Sequence, residues 1–346
     1  VEFTSTLTDK RSVARGGIVI NAAGPWVDQV VGGRIELKSG NQSSDSKRLI
    51  GGTKGSHIIV DEFPGAPSTA IYVEAQTDQR PFFIIPWNRK FLIGTTDIRY
   101  DGDLDSVHIE ENEIKYLLDE TNRVIPTANL DRSKILYTYS GVRPLPFVGD
   151  KDEQSITRRH FIKSHPGLDN LFSIVGGKLT TYRSLAEEMV ELVVRKLGRD
   201  SLKCTTSHTP LPGSKTVDLE AFAADFTKQY QMAATTCDHL LRTYGVAAAS
   251  IMELVSEDSR LAEVIDMETG AIAAEVVHAF RHELAQTLSD CLLRRTMVGL
   301  NSVCGLNAVG AAASVAQNYL GWSNERAANE IITYQNHIMR ARRVAA

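Results

Sequence analysis

A change of hydrophobic pattern near residue 204 constrains the fold of this chain more than any other feature. From 49 to 143 the apolar residues occur in short runs separated by turn signals such as Phe63-Pro64-Gly65, a pattern typical of strands. From Cys204 onward the strand patterns stop, and the chain reads as successive helices to Val344. The sequence therefore predicts two domains, 1–203 and 204–346, of which the second is all-helical. The length of 346 residues allows both, since compact domains hold about 100 to 200 residues.

The first domain contains both strand and helix patterns. Short strands are predicted at 56–60, 70–73, 82–85, 91–93 and 136–139. They favour a mainly antiparallel sheet, which one helix at about 110–124 interrupts. A further strand at 171–175 leads through Gly176-Gly177-Lys178 into a helix that ends at Gly198. The expected fold class is α+β.

The N-terminal segment predicts a hairpin arm followed by a short strand. Residues 1–7 alternate apolar and polar side chains, and 16–20 form a buried-strand pattern that Asn21-Ala22-Ala23-Gly24-Pro25 closes. Because Gly24 and the two alanines have almost no side chain, the backbone can come close to a bulky partner here. A tight strand-to-helix turn is the alternative explanation of the same residues.

Charge and cysteine content exclude several classes of protein. The formal net charge of -4 gives no general attraction to nucleic acid, so any anion site must be local. The four cysteines show no Cys-x-x-Cys spacing, which argues against a zinc site or a disulfide framework and favours a reducing compartment. No apolar run approaches the roughly 18 residues of a membrane-spanning helix. We therefore expect a cytoplasmic protein with no nucleic-acid partner and no bound metal.

The glycine turn at 176–178 is the strongest candidate for ligand binding. A helix N-terminus offers unpaired N–H groups and a favourable dipole to an anion, and the glycines allow close approach. Lys178 adds a full positive charge at the same place. A tight turn with a solvated lysine is the alternative.

Two arginines and one histidine are further candidates. Arg143 precedes Pro144, which holds its backbone extended, so its guanidinium can grip a phosphate or carboxylate with two hydrogen bonds. Arg158 is a second candidate for the same task, and a surface ion pair is the alternative for each. His57 opens a buried strand and is a candidate general base, because its pKa lies near working pH.

Ordered motifs along the chain resemble one flavoprotein family. They are Asn21-Ala22-Ala23-Gly24-Pro25-Trp26, Lys54-Gly55-Ser56-His57-Ile58, Ile85-Pro86-Trp87, Ile93-Gly94-Thr95-Thr96-Asp97, Tyr139-Ser140-Gly141-Val142-Arg143-Pro144-Leu145, Ile156-Thr157-Arg158 and Gly176-Gly177-Lys178-Leu179-Thr180-Thr181-Tyr182-Arg183. In this order they resemble the FAD-dependent glycerol-3-phosphate dehydrogenases of the D-amino-acid-oxidase-like superfamily. The resemblance covers nearly the whole chain. It implies part of an FAD-binding α/β domain with an antiparallel-sheet substrate domain, followed by a helical C-terminal domain.

The resemblance also implies roles for individual residues. The segments of the family that pass close to FAD match the cofactor-binding candidates Ala22, Gly24, Gly176, Gly177, Lys178, Leu179 and Thr180. The positions of its substrate site match His57, Arg143, Arg158 and Lys178, with the arginines on the phosphate. We expect His57, Arg143 and Lys178 to be catalytic, with His57 as the base.

The activity that the resemblance implies is oxidation of sn-glycerol 3-phosphate to dihydroxyacetone phosphate. A hydride passes from C2 to the flavin, and the electrons then pass to a membrane quinone, which requires docking on the inner face of the cell membrane. The resemblance leaves a homodimer open. The alternatives are an oxygen-using glycerol-3-phosphate oxidase, a flavoprotein that acts on an amine, and a catalytically inactive structural or binding module. The candidate cations favour a phosphorylated alcohol over an amine.

The family begins with a Gly-x-Gly-x-x-Gly loop, which binds the flavin pyrophosphate at a helix N-terminus. This sequence contains no such string. Its first residues resemble instead the strand that precedes the Asn-Ala-x-Gly-Pro-Trp motif. We therefore expect a truncated chain or an isolated fragment, which alone should not hold FAD firmly.

Overall fold

The structure is a computed structural model that describes residues 1–32, 48–148, 156–200, 203–215 and 218–342. Its strands are β1 (Glu2–Thr4), β2 (Arg11–Val13), β3 (Val19–Asn21), β4 (Thr53–Val60), β5 (Ile71–Glu74), β6 (Pro81–Trp87), β7 (Lys90–Gly94), β8 (Ile98–Arg99), β9 (Ile135–Arg143), β10 (Phe161–His165), β11 (Leu168–Val175), β12 (Val264–Asp266) and β13 (Ala271–Ile272). Its α-helices are α1 (Val27–Gly32), α2 (Glu111–Val124), α3 (Tyr182–Lys196), α4 (Leu219–Tyr230), α5 (Ala234–Tyr244), α6 (Ala248–Glu257), α7 (Ala273–His282), α8 (Val309–Leu320) and α9 (Asn324–Ala341).

The chain divides into two compact units, each made of three stretches of sequence. The first unit comprises Val1–Gly55, Asp97–Val107 and Gly141–His208, and the second comprises Ser56–Thr96, His108–Ser140 and Thr209–Ala346. The division at 203/204 stays a prediction.

A three-stranded sheet forms the centre of the first unit. Its order is β10-β11-β3, in which β10 and β11 are antiparallel and β3 runs parallel to β11. Val175, at the end of β11, is fully buried against Val27 and Ile50. The predicted N-terminal hairpin arm is confirmed, since β1 pairs antiparallel with β2.

In the second unit, helix α2 packs against one face of an antiparallel sheet. Strands β5, β6, β7 and β4 are consecutive neighbours, and β9 pairs with β4. Alternate residues of β6 point to opposite faces, as a strand requires: Phe82 and Ile84 are buried, and Phe83 is 40% exposed. The buried face packs on Ile114 and Leu117 of α2, which confirms both the predicted antiparallel sheet and the predicted helix.

The rest of the second unit consists mainly of helices, as predicted. Small residues such as Ala312 and Ala316 of α8 are buried and allow close packing of α7 and α8. One detail of the prediction was wrong, because the hairpin β12-β13 interrupts the helices. Buried Asp266 holds its turn by accepting hydrogen bonds from the N–H (3.0 Å) and hydroxyl (2.6 Å) of Thr269. Within the described ranges, none of the helices has the length and apolarity needed to cross a bilayer.

Candidate functional site

Asn21 fixes the small-residue turn that follows β3. Its buried side-chain amide donates to the carbonyl of Val27 (3.0 Å) and to the hydroxyl of Ser173 on β11 (3.2 Å), and its Oδ1 accepts from the N–H of Ala23 (3.2 Å). Gly24 within this turn has a φ of +58°, and a side chain there would meet no atom within 4 Å. The predicted strand-to-helix turn is therefore present and is held by Asn21, whereas close approach of a bulky partner at Gly24 stays a prediction.

The glycine turn at 176–178 brings three segments of the first unit together. The N–H of Gly176 donates to the carbonyl of Pro144 (2.9 Å). Gly176 has a φ of +76°, and a Cβ on it would lie only 2.8 Å from the carbonyl oxygen of Arg159. Glycine is required here for two reasons, the left-handed backbone and the close approach of another chain segment. The residues adjoining Arg143 and Arg158 therefore lie beside this turn.

Exposed apolar side chains occur at the start of helix α3 and on the turn after β3. Lys178, Leu179 and Thr180 are exposed, and the exposed fractions of Leu179 and Tyr182 are 88% and 60%. On the turn after β3, Trp26 is 37% exposed. Uncovered apolar groups beside a helix N-terminus suit a ligand that has both a flat apolar part and negatively charged or electron-rich groups.

Arg143 and Arg158 converge on Asp97 in the first unit. Arg143 is the last residue of β9, and its Nη1 lies 2.9 Å from Oδ1 of Asp97. The Nη2 of Arg158 lies 3.6 Å from Oδ2 of the same carboxylate. The Asp97 side chain is 13% exposed, that of Arg143 24% and that of Arg158 52%. One half-buried carboxylate thus orients two guanidinium groups whose residues are 15 positions apart in the sequence.

His57 lies on β4 in the second unit, in a tightly packed position. It pairs in register with Gly94 of β7, and a Cβ on Gly94 would be 2.4 Å from Cδ2 of the imidazole. The imidazole stacks on the ring of Tyr139, with 4.7 Å between centroids and an angle of 17° between planes. Burial raises the pKa of Tyr139, so the stacking partner stays uncharged at neutral pH.

A buried carboxylate that the sequence reasoning missed lies behind the strand of His57. Glu113 of α2 is 2% exposed, and its Oε1 accepts hydrogen bonds from the hydroxyls of Ser56 (2.7 Å) and Thr96 (2.6 Å). The hydroxyl of Ser140 lies 2.8 Å from that of Ser56. These hydroxyls belong to three of the motifs that carry the family resemblance, but Glu113 belongs to none of them. The only sequence signal for it was a charged residue on a helix beside apolar Ile114.

The structure thus groups some of the predicted site residues. The segments of Arg143, Arg158 and Gly176 meet in the first unit, and Arg143 and Arg158 share a carboxylate. His57 belongs to the second unit, where Tyr139 and Glu113 accompany it. The role of each residue, and the meeting of His57 with the cations, stay predictions.

Comparison with known proteins establishes the class of this protein. Residues 2–192 match the family model described as FAD dependent oxidoreductase, and residues 204–327 match the model described as C-terminal domain of alpha-glycerophosphate oxidase. The chain belongs to the family of FAD-dependent oxidoreductases. This confirms the resemblance read from the motifs and confirms FAD as the cofactor of the family.

Individual relatives carry a more specific name. The chain is 44% identical over 325 residues to a glycerol-3-phosphate dehydrogenase of Synechocystis sp., an alignment that covers 93% of this chain and 58% of the relative. It is 36% identical over 295 residues to the aerobic glycerol-3-phosphate dehydrogenase of Escherichia coli K12, covering 83% of this chain and 55% of the relative. The chain therefore spans little more than half the length of these relatives.

A solved structure supports the fold. The chain is similar to the glycerol-3-phosphate dehydrogenase from Bacillus halodurans, which was solved as a complex with FAD. The TM-score is 0.77 at 24% sequence identity, and the alignment covers 98% of this chain and 65% of that one. The predicted fold class, an FAD-binding fold with a helical C-terminal domain, is confirmed.

Proposed function

We propose that the natural protein containing this chain oxidises sn-glycerol 3-phosphate to dihydroxyacetone phosphate, with FAD as its cofactor and a quinone as its electron acceptor. The observation that carries the proposal is the convergence of Arg143 and Arg158 on Asp97. Two guanidinium groups that converge on one place suit a phosphate, which arginine grips with parallel hydrogen bonds. The names of the relatives support this choice of substrate.

The residues around helix α3 fit part of an FAD molecule. The open space at Gly24 leaves room for a large planar group, and exposed Leu179 offers an apolar contact. The N-terminus of α3 suits electron-rich atoms of the ligand. Bound FAD supplies the acceptor for the hydride. We assign cofactor contact to Ala22, Gly24, Gly176, Gly177, Lys178, Leu179 and Thr180.

The side chains of the chain then have separate tasks in the reaction. Arg143 and Arg158 hold the phosphate and so orient the carbon chain of the substrate. His57 removes the proton from the C2 hydroxyl as general base. Bound FAD would accept the C2 hydrogen as a hydride, which would leave C2 as the carbonyl carbon of the product. Lys178 contributes a positive charge at the start of α3, next to the substrate and the cofactor.

The proposed partners follow from the proposed acceptor. A quinone resides in a membrane, so the protein would act as a peripheral protein on the cytoplasmic face. An oxygen-using oxidase is the second candidate, because the model matched by residues 204–327 is described from an alpha-glycerophosphate oxidase. The rate at which the reduced protein is reoxidised by a soluble quinone, compared with the rate in air-saturated buffer, distinguishes the two.

Anaerobic reduction of the FAD-loaded natural protein tests the proposal. sn-Glycerol 3-phosphate should bleach the visible flavin absorption, while glycerol at the same concentration should not. Arg143→Ala should raise the substrate Kd by about 10- to 100-fold, because it removes charge-assisted hydrogen bonds. Arg132→Ala, which removes an arginine paired with Glu111, is the matched control and should leave the Kd unchanged. An unchanged Kd in Arg143→Ala would contradict the phosphate assignment.

A further inference from the structure

The buried carboxylate of Glu113 accepts a hydrogen bond from the hydroxyl of Ser56, the residue directly before His57. We propose that Glu113 is a positioning residue that fixes His57 for proton transfer through the hydroxyls of Ser56, Thr96 and Ser140. This inference rests on the proposed function of His57 as the base. Glu113 itself does not touch substrate or cofactor in this proposal.

The direction of each hydrogen bond follows from the donors available. The hydroxyls of Ser56 and Thr96 both donate to Oε1 of Glu113, at distances of 2.7 Å and 2.6 Å. Each hydroxyl has one proton, so both are committed to Glu113. The hydroxyl of Ser140, 2.8 Å from that of Ser56, must then be the donor of that pair. The result is one directed chain that ends at Glu113.

A carboxylate suits this position better than an amide would. The second oxygen, Oε2, accepts from the backbone N–H of Glu110 (2.9 Å) at the start of α2. Donors therefore approach both oxygens of Glu113, and a glutamine would direct its NH2 group at one of them. Burial of the Glu113 side chain protects these hydrogen bonds from competition by water.

The network holds the backbone on both sides of the imidazole. The N–H of Ser56 donates to the hydroxyl of Thr96 (2.9 Å), and the N–H of Thr96 donates to the carbonyl of Ser56 (3.3 Å). Ser56 directly precedes His57 in β4. Ser140 directly follows Tyr139, on which the imidazole stacks. The strand that carries His57 and the ring that supports it are thus attached to the same carboxylate.

Helix α2 offers a matched control in Glu120. This second buried carboxylate, 4% exposed, accepts from the hydroxyl (2.6 Å) and N–H (3.1 Å) of Thr77 and from Arg123. Despite its burial, these hydrogen bonds lower the pKa of Glu120 to about 2. Glu120 resembles Glu113 in burial and in accepting from hydroxyl and backbone N–H groups, but it also pairs with Arg123 and holds the loop after β5 rather than the residues next to His57.

The experiment compares Glu113→Gln with Glu120→Gln in the FAD-loaded natural protein. We expect Glu113→Gln to slow flavin reduction at saturating sn-glycerol 3-phosphate by about tenfold or more, as a loss of base alignment predicts, with a substrate Kd close to that of the wild type. Glu120→Gln should change the rate by less than about twofold, although it removes a comparable buried group. Equal rates in the two variants would overturn the proposal.

Replacing Ser140 by alanine is a milder change, which tests the proposal if Glu113→Gln does not fold. The hydroxyl of Ser140 is at the outer end of the chain of hydrogen bonds, and its residue is only half-buried. Ser140→Ala should slow flavin reduction by about two- to tenfold, the worth of one neutral hydrogen bond, with little change in Kd. A rate equal to that of the wild type would overturn the proposal.

A second readout separates failure of this inference from failure of the proposed function. In NMR spectra, the imidazole signals of His57 should move in Glu113→Gln and stay in place in Glu120→Gln, whether or not glycerol 3-phosphate is the substrate. If the wild type is not reduced by this substrate but the His57 signals move as expected, the proposed function fails and the positioning role stands. Unmoved signals in Glu113→Gln would refute the positioning role.

Discussion

Replacing Gly94 by alanine should displace the imidazole of His57. A Cβ at position 94 would lie 2.4 Å from Cδ2 of His57, 2.8 Å from its Cγ and 3.0 Å from the carbonyl oxygen of Ser56. The imidazole must withdraw by about 1 Å to restore an ordinary van der Waals contact, and the stacked ring of Tyr139 limits where it can go. A misplacement of about 1 Å can cost a reaction about a hundredfold in rate.

The assay for Gly94→Ala is stopped-flow flavin reduction at saturating sn-glycerol 3-phosphate. We expect a loss of about 10- to 100-fold. Gly310→Ala is the control, because a Cβ at Gly310 meets no atom within 4 Å. In a His57→Ala background, where flavin reduction is already slow, Gly94→Ala should add little. Wild-type rates in Gly94→Ala, or an equally large additional loss in the His57→Ala background, would refute the reasoning.

Two further predictions concern stability and are measured by urea unfolding. Gly176→Ala should lower the free energy of unfolding by about 2 to 4 kcal/mol, because alanine there adds left-handed backbone strain and a clash with the backbone. Gly198→Ala is the control and should lower it by about 1 to 2 kcal/mol, because Gly198 has a φ of +64° but open space around it. Equal losses in the two variants would contradict the clash. Lys90→Ala should lower the free energy of unfolding by about 2 to 3 kcal/mol. The reason is that Lys90 is buried and its Nζ lies 2.5 Å from Oε1 of the partly exposed Glu268, so the substitution removes the cation paired with this carboxylate. Lys115→Ala should lower the free energy of unfolding by less than about 0.5 kcal/mol, because Lys115 and its partner Asp119 are both solvent-exposed. A similar loss in both lysine variants would contradict the role of burial.

Periodic patterns allowed much of the fold to be predicted from the sequence. The short apolar run from Phe82 to Ile85, followed by the turn signal at 88–90, gave β6. The helical spacing of Ile114 and Leu117 gave α2, because burial of one helix face dictates the period. The edge strand β10 was missed, since Phe161–His165 is largely exposed and lacks a regular apolar alternation. The hairpin β12-β13 was missed because its strands of three and two residues are too short to show a period.

The polar contacts of the candidate site could be predicted less well. The backbone of Arg143 was correctly expected to be extended, because Pro144 restricts its neighbour locally. The carboxylate of Asp97, by contrast, is 46 residues away from Arg143 in the sequence, and Glu113 is 57 residues away from Ser56. No local periodicity encodes such pairs, which arise only when strands and helices have packed.

The parallel pairing of β3 with β11 has a consequence for how the molecule forms. Asn21 and Ser173, joined by a hydrogen bond across these strands, are 152 residues apart in the sequence. Contacts between such distant residues carry a large loop-closure cost and form slowly. During synthesis, β3 cannot pair with β11 until residue 173 has left the ribosome, so the turn after β3 is fixed late, after the strands β4 to β7 of the intervening sheet have been synthesised.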